Sequence, residues 1–126
     1  MRLLLDTVVL IYSVESPELL SKRASAAIQN PQSVLELSTV SLSEIAIKTA
    51  LGKLRFPVAV VRQAVEALGI RILPYTADHA FQLFDLAPHH RDPFDRKIIA
   101  QALVEAVPVV TPDQKFQLYS GLKVIW

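Results

Sequence analysis

The chain has 126 residues, enough for one domain with a sizeable core, and 52% of them are apolar, which excludes a disordered chain. Its 13 basic and 12 acidic residues leave a net charge of +1, so a broad basic surface is excluded; nucleic acid would have to be drawn by a local cluster or a bound cation. There is no cysteine, hence no disulfide or thiolate metal site, and no window of about 20 residues is free of charges and breakers, so no membrane span is expected.

Residues 2–5 read as a short buried strand ending at Asp6. The stretch LLLDTVVLIY, residues 3–12, sets that one carboxylate among nine uncharged residues, where burial costs several kcal/mol unless something compensates it. Asp6 interrupts the apolar stretch early and no small-residue cleavage site follows, so a signal peptide is not expected and the cytoplasm is the expected location. Residues 7–14 are rich in β-branched side chains, yet one continuous strand would be unusually long; a strand-to-helix turn at Asp6-Thr7 is favoured. Ser16-Pro17-Glu18 predicts a helix start, with Ser16 as N-cap and Pro17 at the first position, running to Asn30 before Pro31.

A second strand is expected over residues 33–39. Ser41 or Ser43 then opens a helix through Ile45, Ile47 and Leu51, closed by Gly52. Residues 58–68 read as a helix ended by Gly69, and 70–74 as a third strand. Thr76 caps a helix through Ala80, Leu83 and Phe84, and Asp92-Pro93 opens another with Ile98, Ile99, Ala102 and Leu103 on its apolar face. Residues 107–110 and 122–125 are the fourth and fifth strands. This alternation predicts one α/β domain over 1–126, three layers with a mostly parallel sheet of four to five strands in the middle. In such sheets ligands bind beyond the carboxyl ends of the strands, where Asp6 falls.

Glu44, Asp92, Asp95 and Asp113 stand at comparable strand ends or helix beginnings. Carboxylates converging on one sheet edge repel one another without a cation, and three or four of them suit a hard divalent ion such as Mg²⁺ or Mn²⁺. Each also has a plainer reading. Acids in a first helical turn are favoured by the helix dipole by about 0.3–1 kcal/mol. Glu44 and Lys48 are four apart and fit an ordinary helical ion pair. Asp92 before Pro93 makes a good N-cap, and Asp113 after Thr-Pro suits a turn. Asp6 has no such ready explanation.

Four segments in this order and spacing, MRLLLDT at the start, SLSEIAIKTALGKL at 41–54, HRDPFDRKIIAQA at 90–102 and TPDQKF at 111–116, resemble the PIN-domain ribonucleases, in particular the VapC-type toxins of toxin–antitoxin pairs. The resemblance runs nearly end to end. It implies a PIN-like fold and makes Asp6, Glu44 and Asp95 the acids of a metal site, with Asp113 the fourth. Thr7 and Thr111 match hydroxyl positions beside that site, and Asp92 ranks as a helix cap before a ligand. Close relatives commonly continue the opening motif as Asp-Thr-His, where this chain has Asp6-Thr7-Val8.

Four carboxylates without a covalent nucleophile point to metal-assisted hydrolysis by Mg²⁺ or Mn²⁺. The resemblance implies RNA as the substrate, cut to leave 5′-phosphate and 3′-hydroxyl ends, with an antitoxin protein as partner and self-association as a homodimer. Lys48, Lys53 and Arg55 near Glu44, and Arg91, Arg96 and Lys97 around Asp95, are candidate phosphate contacts or simply a solvated face; Arg96 is the one favoured for RNA or an ion pair. His89 and His90 are expected in a loop after Pro88 and are left out of the metal set, since zinc would want further ligands at suitable spacing. Phe81 and Phe84, three apart, form a buried stripe or a partner surface. The competing readings are a catalytically inert PIN-like interaction module and an aspartate-nucleophile phosphatase; the latter wants a second Asp at position 8, which is Val8.

Overall fold

A computed structural model describes residues 1–126. Five parallel strands form one sheet: β1 (Arg2–Leu5), β2 (Val34–Ser38), β3 (Arg71–Leu73), β4 (Val109–Val110) and β5 (Val124–Ile125), in the order β3-β2-β1-β4-β5. The connections carry α1 (Thr7–Glu15), α2 (Lys22–Gln29), α3 (Thr39–Ala50), α4 (Val58–Ala67), α5 (Ala77–Gln82) and α6 (Pro93–Glu105). The three-layer α/β architecture expected from the alternation is the one found, with all strands parallel.

The central strand explains its own composition. Leu3 and Leu5 pack into one core with Val9, Leu10, Leu37 and Ile45; Leu4 points the other way, into a second core with Ile98, Ile99, Val109 and Phe116. A parallel strand covered on both faces has no solvent side, so its sequence cannot alternate. All three leucines are fully buried, each worth about 1.5–3 kcal/mol. Leu5 lies opposite both Leu37 and Val110, which aligns the carboxyl ends of β1, β2 and β4 and brings Asp6 and Thr111 to one edge.

Glu36 breaks the apolar run of β2. It sits between two core leucines yet is 1% exposed. Arg2 compensates it, with Nε at 2.6 Å and Nη2 at 3.3 Å from its two oxygens. Arg2 also reaches Glu105 at 2.9 Å, and Glu105 in turn holds the buried His79 at 2.9 Å. This ionic network closes the amino end of the sheet, away from Asp6.

Two helix starts differ from expectation. The helix expected over 17–30 is broken: Pro17–Leu19 is a single 3₁₀ turn, Leu20 is extended, and Ser21 rather than Ser16 caps α2, its hydroxyl accepting the Ala24 amide at 3.0 Å. The extended residue turns Leu20 onto the first core, a packing gain that outweighs continuing the helix. The helix α3 opens at Thr39, not at Ser41 or Ser43, because the Ser38 hydroxyl takes the Val40 amide at 3.0 Å as soon as β2 ends. Glu44 therefore lies in the second turn of α3, too far from the helix start for the dipole to favour it. Gly52 (φ 71°) and Gly69 (φ 63°) follow α3 and α4 in the left-handed conformation that glycine favours. No helix is long and apolar enough to cross a membrane.

Candidate metal centre

The carboxyl edge of the sheet carries a cleft of about 360 Å³ that brings Asp6, Glu44, Asp95 and Asp113 together from four different elements. Asp6 is buried because it continues a buried strand: its amide donates to Val110 O at 3.0 Å and the residue is 4% exposed. Its Oδ1 accepts the Thr7 amide and its Oδ2 the Thr111 hydroxyl, both at 2.7 Å. The Thr7 hydroxyl donates to Ser41 Oγ at 2.8 Å, tying the start of α1 to α3. Thr111 Oγ1 also accepts the Asp113 amide at 3.0 Å, so one threonine orients two of the acids.

Glu44 is almost fully buried. Its Oε2 is paired with Lys48, the helical ion pair that the spacing allowed, but its Oε1 is buried with no partner at all. An orphaned carboxylate oxygen in a buried site is costly unless a cation takes it. Asp95 sits in the first turn of α6, where Asp92 Oδ1 accepts the amides of Phe94 (2.8 Å) and Asp95 (3.0 Å); Asp92 is thus the cap of that helix. Asp113 follows β4, its Oδ1 accepting the Lys115 amide at 2.9 Å.

The acids repel one another. Burial pushes the Asp6 carboxyl up to about 6, against the hydrogen bonds of Thr111 and Thr7, with Glu44 and Asp113 raising it further. Burial pushes Asp95 up to about 8, helped by Asp6, Asp92, Glu44 and Asp113. Lys48, bonded to Glu44, is held as a firm cation. Four carboxylates with one orphaned oxygen fit a hard divalent ion better than a soft one, although the His90 imidazole stands beside Asp95 and Asp113 in the same cluster.

The basic residues divide. Lys48 and Lys53 line the cleft. Arg55 and Arg91 are exposed at the surface. Arg96, expected to meet RNA or an ion-pair partner, makes no ion pair: its guanidinium donates to the carbonyls of Leu86 (3.3 Å), Ala87 (3.1 Å) and His90 (3.0 Å), bracing the loop before α6. A loop with no regular partners for its carbonyls needs such a donor.

His90, not expected near the metal set, does reach the site. It is buried, with Nε2 at 2.7 Å from Asp113 Oδ2 and 3.1 Å from Asp95 Oδ2. Its loop location is as expected, but the ring folds back under the start of α6. The available signal was its place two residues before the capping Asp92. Phe81 and Phe84 are not a buried stripe: both are exposed, their rings 6.4 Å apart.

Comparison with known proteins agrees with this fold. The family model of the PIN domain matches residues 3–122. Among curated protein sequences none matches the chain. Similar solved structures include VapBC2 from Rickettsia felis bound to a DNA fragment from their promoter (TM-score 0.73, 16% identity, 98% of this chain and 97% of that one). DNA-bound VapBC from Salmonella typhimurium (0.70, 17%, 98% and 96%) and VapBC-1 from nontypeable Haemophilus influenzae (0.69, 20%, 98% and 96%) are also similar. At such identities the shared property is the fold. With a family model that spans nearly the whole sequence and a matching three-layer sheet, the chain belongs to the PIN domain family.

Proposed function

We propose that this chain is a Mg²⁺- or Mn²⁺-dependent endoribonuclease acting as the toxin of a toxin–antitoxin pair. The observation that carries the reading is the convergence of Asp6, Glu44, Asp95 and Asp113 on one cleft in which Glu44 Oε1 has no partner. Asp6, Glu44 and Asp95 would hold the ion, with Asp113 as a fourth acid. A bound divalent ion polarises a phosphodiester, makes its water more acidic and stabilises the leaving oxygen.

The chain's own residues do the rest. The Thr7 amide and Thr111 hydroxyl each take one lone pair of an Asp6 oxygen, fixing the carboxylate while leaving lone pairs free toward the cleft. Lys48 pins Glu44 Oε2 and so presents Oε1. Asp92 holds the first turn of α6 and thereby Asp95. Lys53, exposed on the cleft lining, adds positive charge where a phosphate backbone would approach; Arg55 and Arg91, exposed but outside that lining, are further candidate contacts. Carboxylates alone do not choose RNA over DNA; that choice follows the family resemblance.

An antitoxin partner is supported by the VapBC complexes among the similar structures and by an apolar groove of about 730 Å³ between α3 and α4, lined by Ala46, Ala50, Phe56, Val58, Val61 and Val65. The exposed Phe81–Phe84 pair is a surface on which a homodimer would form. The cytoplasm, where RNA and antitoxin meet, is the proposed location. An inert interaction module would have no need of all four acids.

The test is brief expression of the wild type and Asp6→Asn in a tolerant host, followed by sequencing of RNA 5′-monophosphate ends. New ends at a few discrete positions, absent with the variant, are expected. Identical profiles from the two proteins would count against a nuclease.

A further inference from the structure

His90 is a buried titratable group beside the acids with no part in the proposed mechanism. Its hydrogen bonds decide what it can do. The Asp92 amide donates to Nδ1 at 3.2 Å, so Nδ1 is an acceptor and carries no proton. In the neutral ring the proton is then on Nε2, the atom 2.7 Å from Asp113 Oδ2 and 3.1 Å from Asp95 Oδ2. Binding a metal through Nε2 would move the proton to Nδ1, facing the Asp92 N–H donor to donor. A backbone amide at the capped start of a helix cannot turn away to relieve that clash.

We infer that His90 is a positioning residue, a hydrogen-bond donor locked in the Nε2–H tautomer by the Asp92 amide, which gathers Asp95 and Asp113 for the ion without ligating it. The inference rests on the metal reading of the cleft. Asp113 Oδ1 is already held by the Lys115 amide, so with His90 on Oδ2 both of its oxygens are fixed before any ion arrives. Three further contacts fix the ring and its backbone: it stands edge-on to Phe116 with centroids 5.7 Å apart, the His90 amide donates to the Tyr119 hydroxyl at 2.8 Å, and the His90 carbonyl accepts from Arg96. Without the donor, two adjacent carboxylates would splay apart, and ion binding would have to bring them back. Removing such outer partners of metal ligands typically weakens binding by about 10–100-fold.

The tautomer can be read directly in the wild type. Long-range ¹H–¹⁵N spectra of histidine-labelled protein, with His90 assigned through its Phe116 contacts, should show Nε2–H both metal-free and with saturating Mg²⁺. An Nδ1–H ring, or loss of the Nε2 proton on adding Mg²⁺, overturns the inference and makes His90 a ligand. Mn²⁺ titrations followed by electron paramagnetic resonance then separate positioning from packing. His90→Gln keeps an N–H donor near the Nε2 position and should bind Mn²⁺ close to wild type. His90→Leu packs against Phe116 but donates nothing, and should bind about 10–100-fold more weakly. The reverse order would make the ring a packing element and overturn the inference. A wild type that binds no Mn²⁺, with Nε2–H intact, instead brings down the metal reading on which it stands.

Discussion

Replacing Asp6 by asparagine should stabilise the metal-free protein at pH 8. The carboxyl of Asp6 is raised from 3.8 to about 6, chiefly by burial. A raised carboxylate means that the folded state binds the proton more tightly than the unfolded chain. Its contribution is whole below pH about 4, is lost as pH rises through about 6, and leaves the ionised group costing on the order of 3 kcal/mol above that. Asparagine removes the charge with little geometric loss. Its Oδ1 can keep the Thr7 amide, and its Nδ2 can donate to Thr111 Oγ1, which accepts only the Asp113 amide and has a lone pair to spare. The net gain should be about 1–3 kcal/mol, roughly 3–5 °C of melting temperature per kcal/mol for a domain of this size. Thermal melts of both proteins in EDTA should nearly coincide at pH 4 and diverge through pH 6, with the variant higher. Saturating Mg²⁺ should reverse the order, since an ion at 100 times its dissociation constant adds about 2.7 kcal/mol to the protein that binds it. A variant less stable than wild type in EDTA at pH 8 would refute the reasoning and give Asp6 a structural role.

Asp95, held up to about 8, extends the same effect to higher pH, so the wild type without metal should lose stability between pH 5 and 8 and regain it with Mg²⁺; urea unfolding across that range checks this, and a rise in EDTA would contradict it. Arg96→Met should cost about 2–4 kcal/mol in urea unfolding by leaving the Leu86 and His90 carbonyls without their donor, while Ala87 keeps the Tyr119 hydroxyl; unchanged stability with weakened RNA binding would return Arg96 to the nucleic-acid surface. Lys53→Gln, an exposed change, should leave stability within about 0.5 kcal/mol while raising KM for RNA several-fold with kcat largely kept. A fall in kcat with KM unchanged would place Lys53 in the chemistry instead.

The architecture was legible because strand and helix alternate and because Gly52, Gly69 and Asp92-Pro93 punctuate the chain with strong signals. Helix starts were harder. Ser16 and Ser41 or Ser43 were the expected caps, and the use of Ser21 and Ser38 instead is set by where Leu20 packs and where β2 ends, both tertiary facts. The meeting of Asp6, Asp95 and Asp113 was readable from their place at strand ends and helix starts, whereas Glu44 reaches the cleft from the second turn of α3. The groups that set their state were not. His90 reaches Asp113 across 23 residues and Thr111 reaches Asp6 across 105, and no local pattern encodes such contacts. The same holds for Glu36, whose burial depends on Arg2 in the neighbouring strand. Arg96 misled because an arginine beside an acid suggests a phosphate or an ion pair, while its real partners are backbone carbonyls, which sequence does not distinguish.

The central claim is that the four acids hold a divalent ion that cleaves RNA. The most direct test is to incubate purified wild type and Asp6→Asn with RNA in Mn²⁺ or in EDTA and analyse the product termini. Cleavage that needs both Mn²⁺ and Asp6, and leaves 5′-phosphate and 3′-hydroxyl ends, is the predicted result. Cleavage that persists in EDTA or in the variant, or leaves 2′,3′-cyclic phosphate ends, would contradict it.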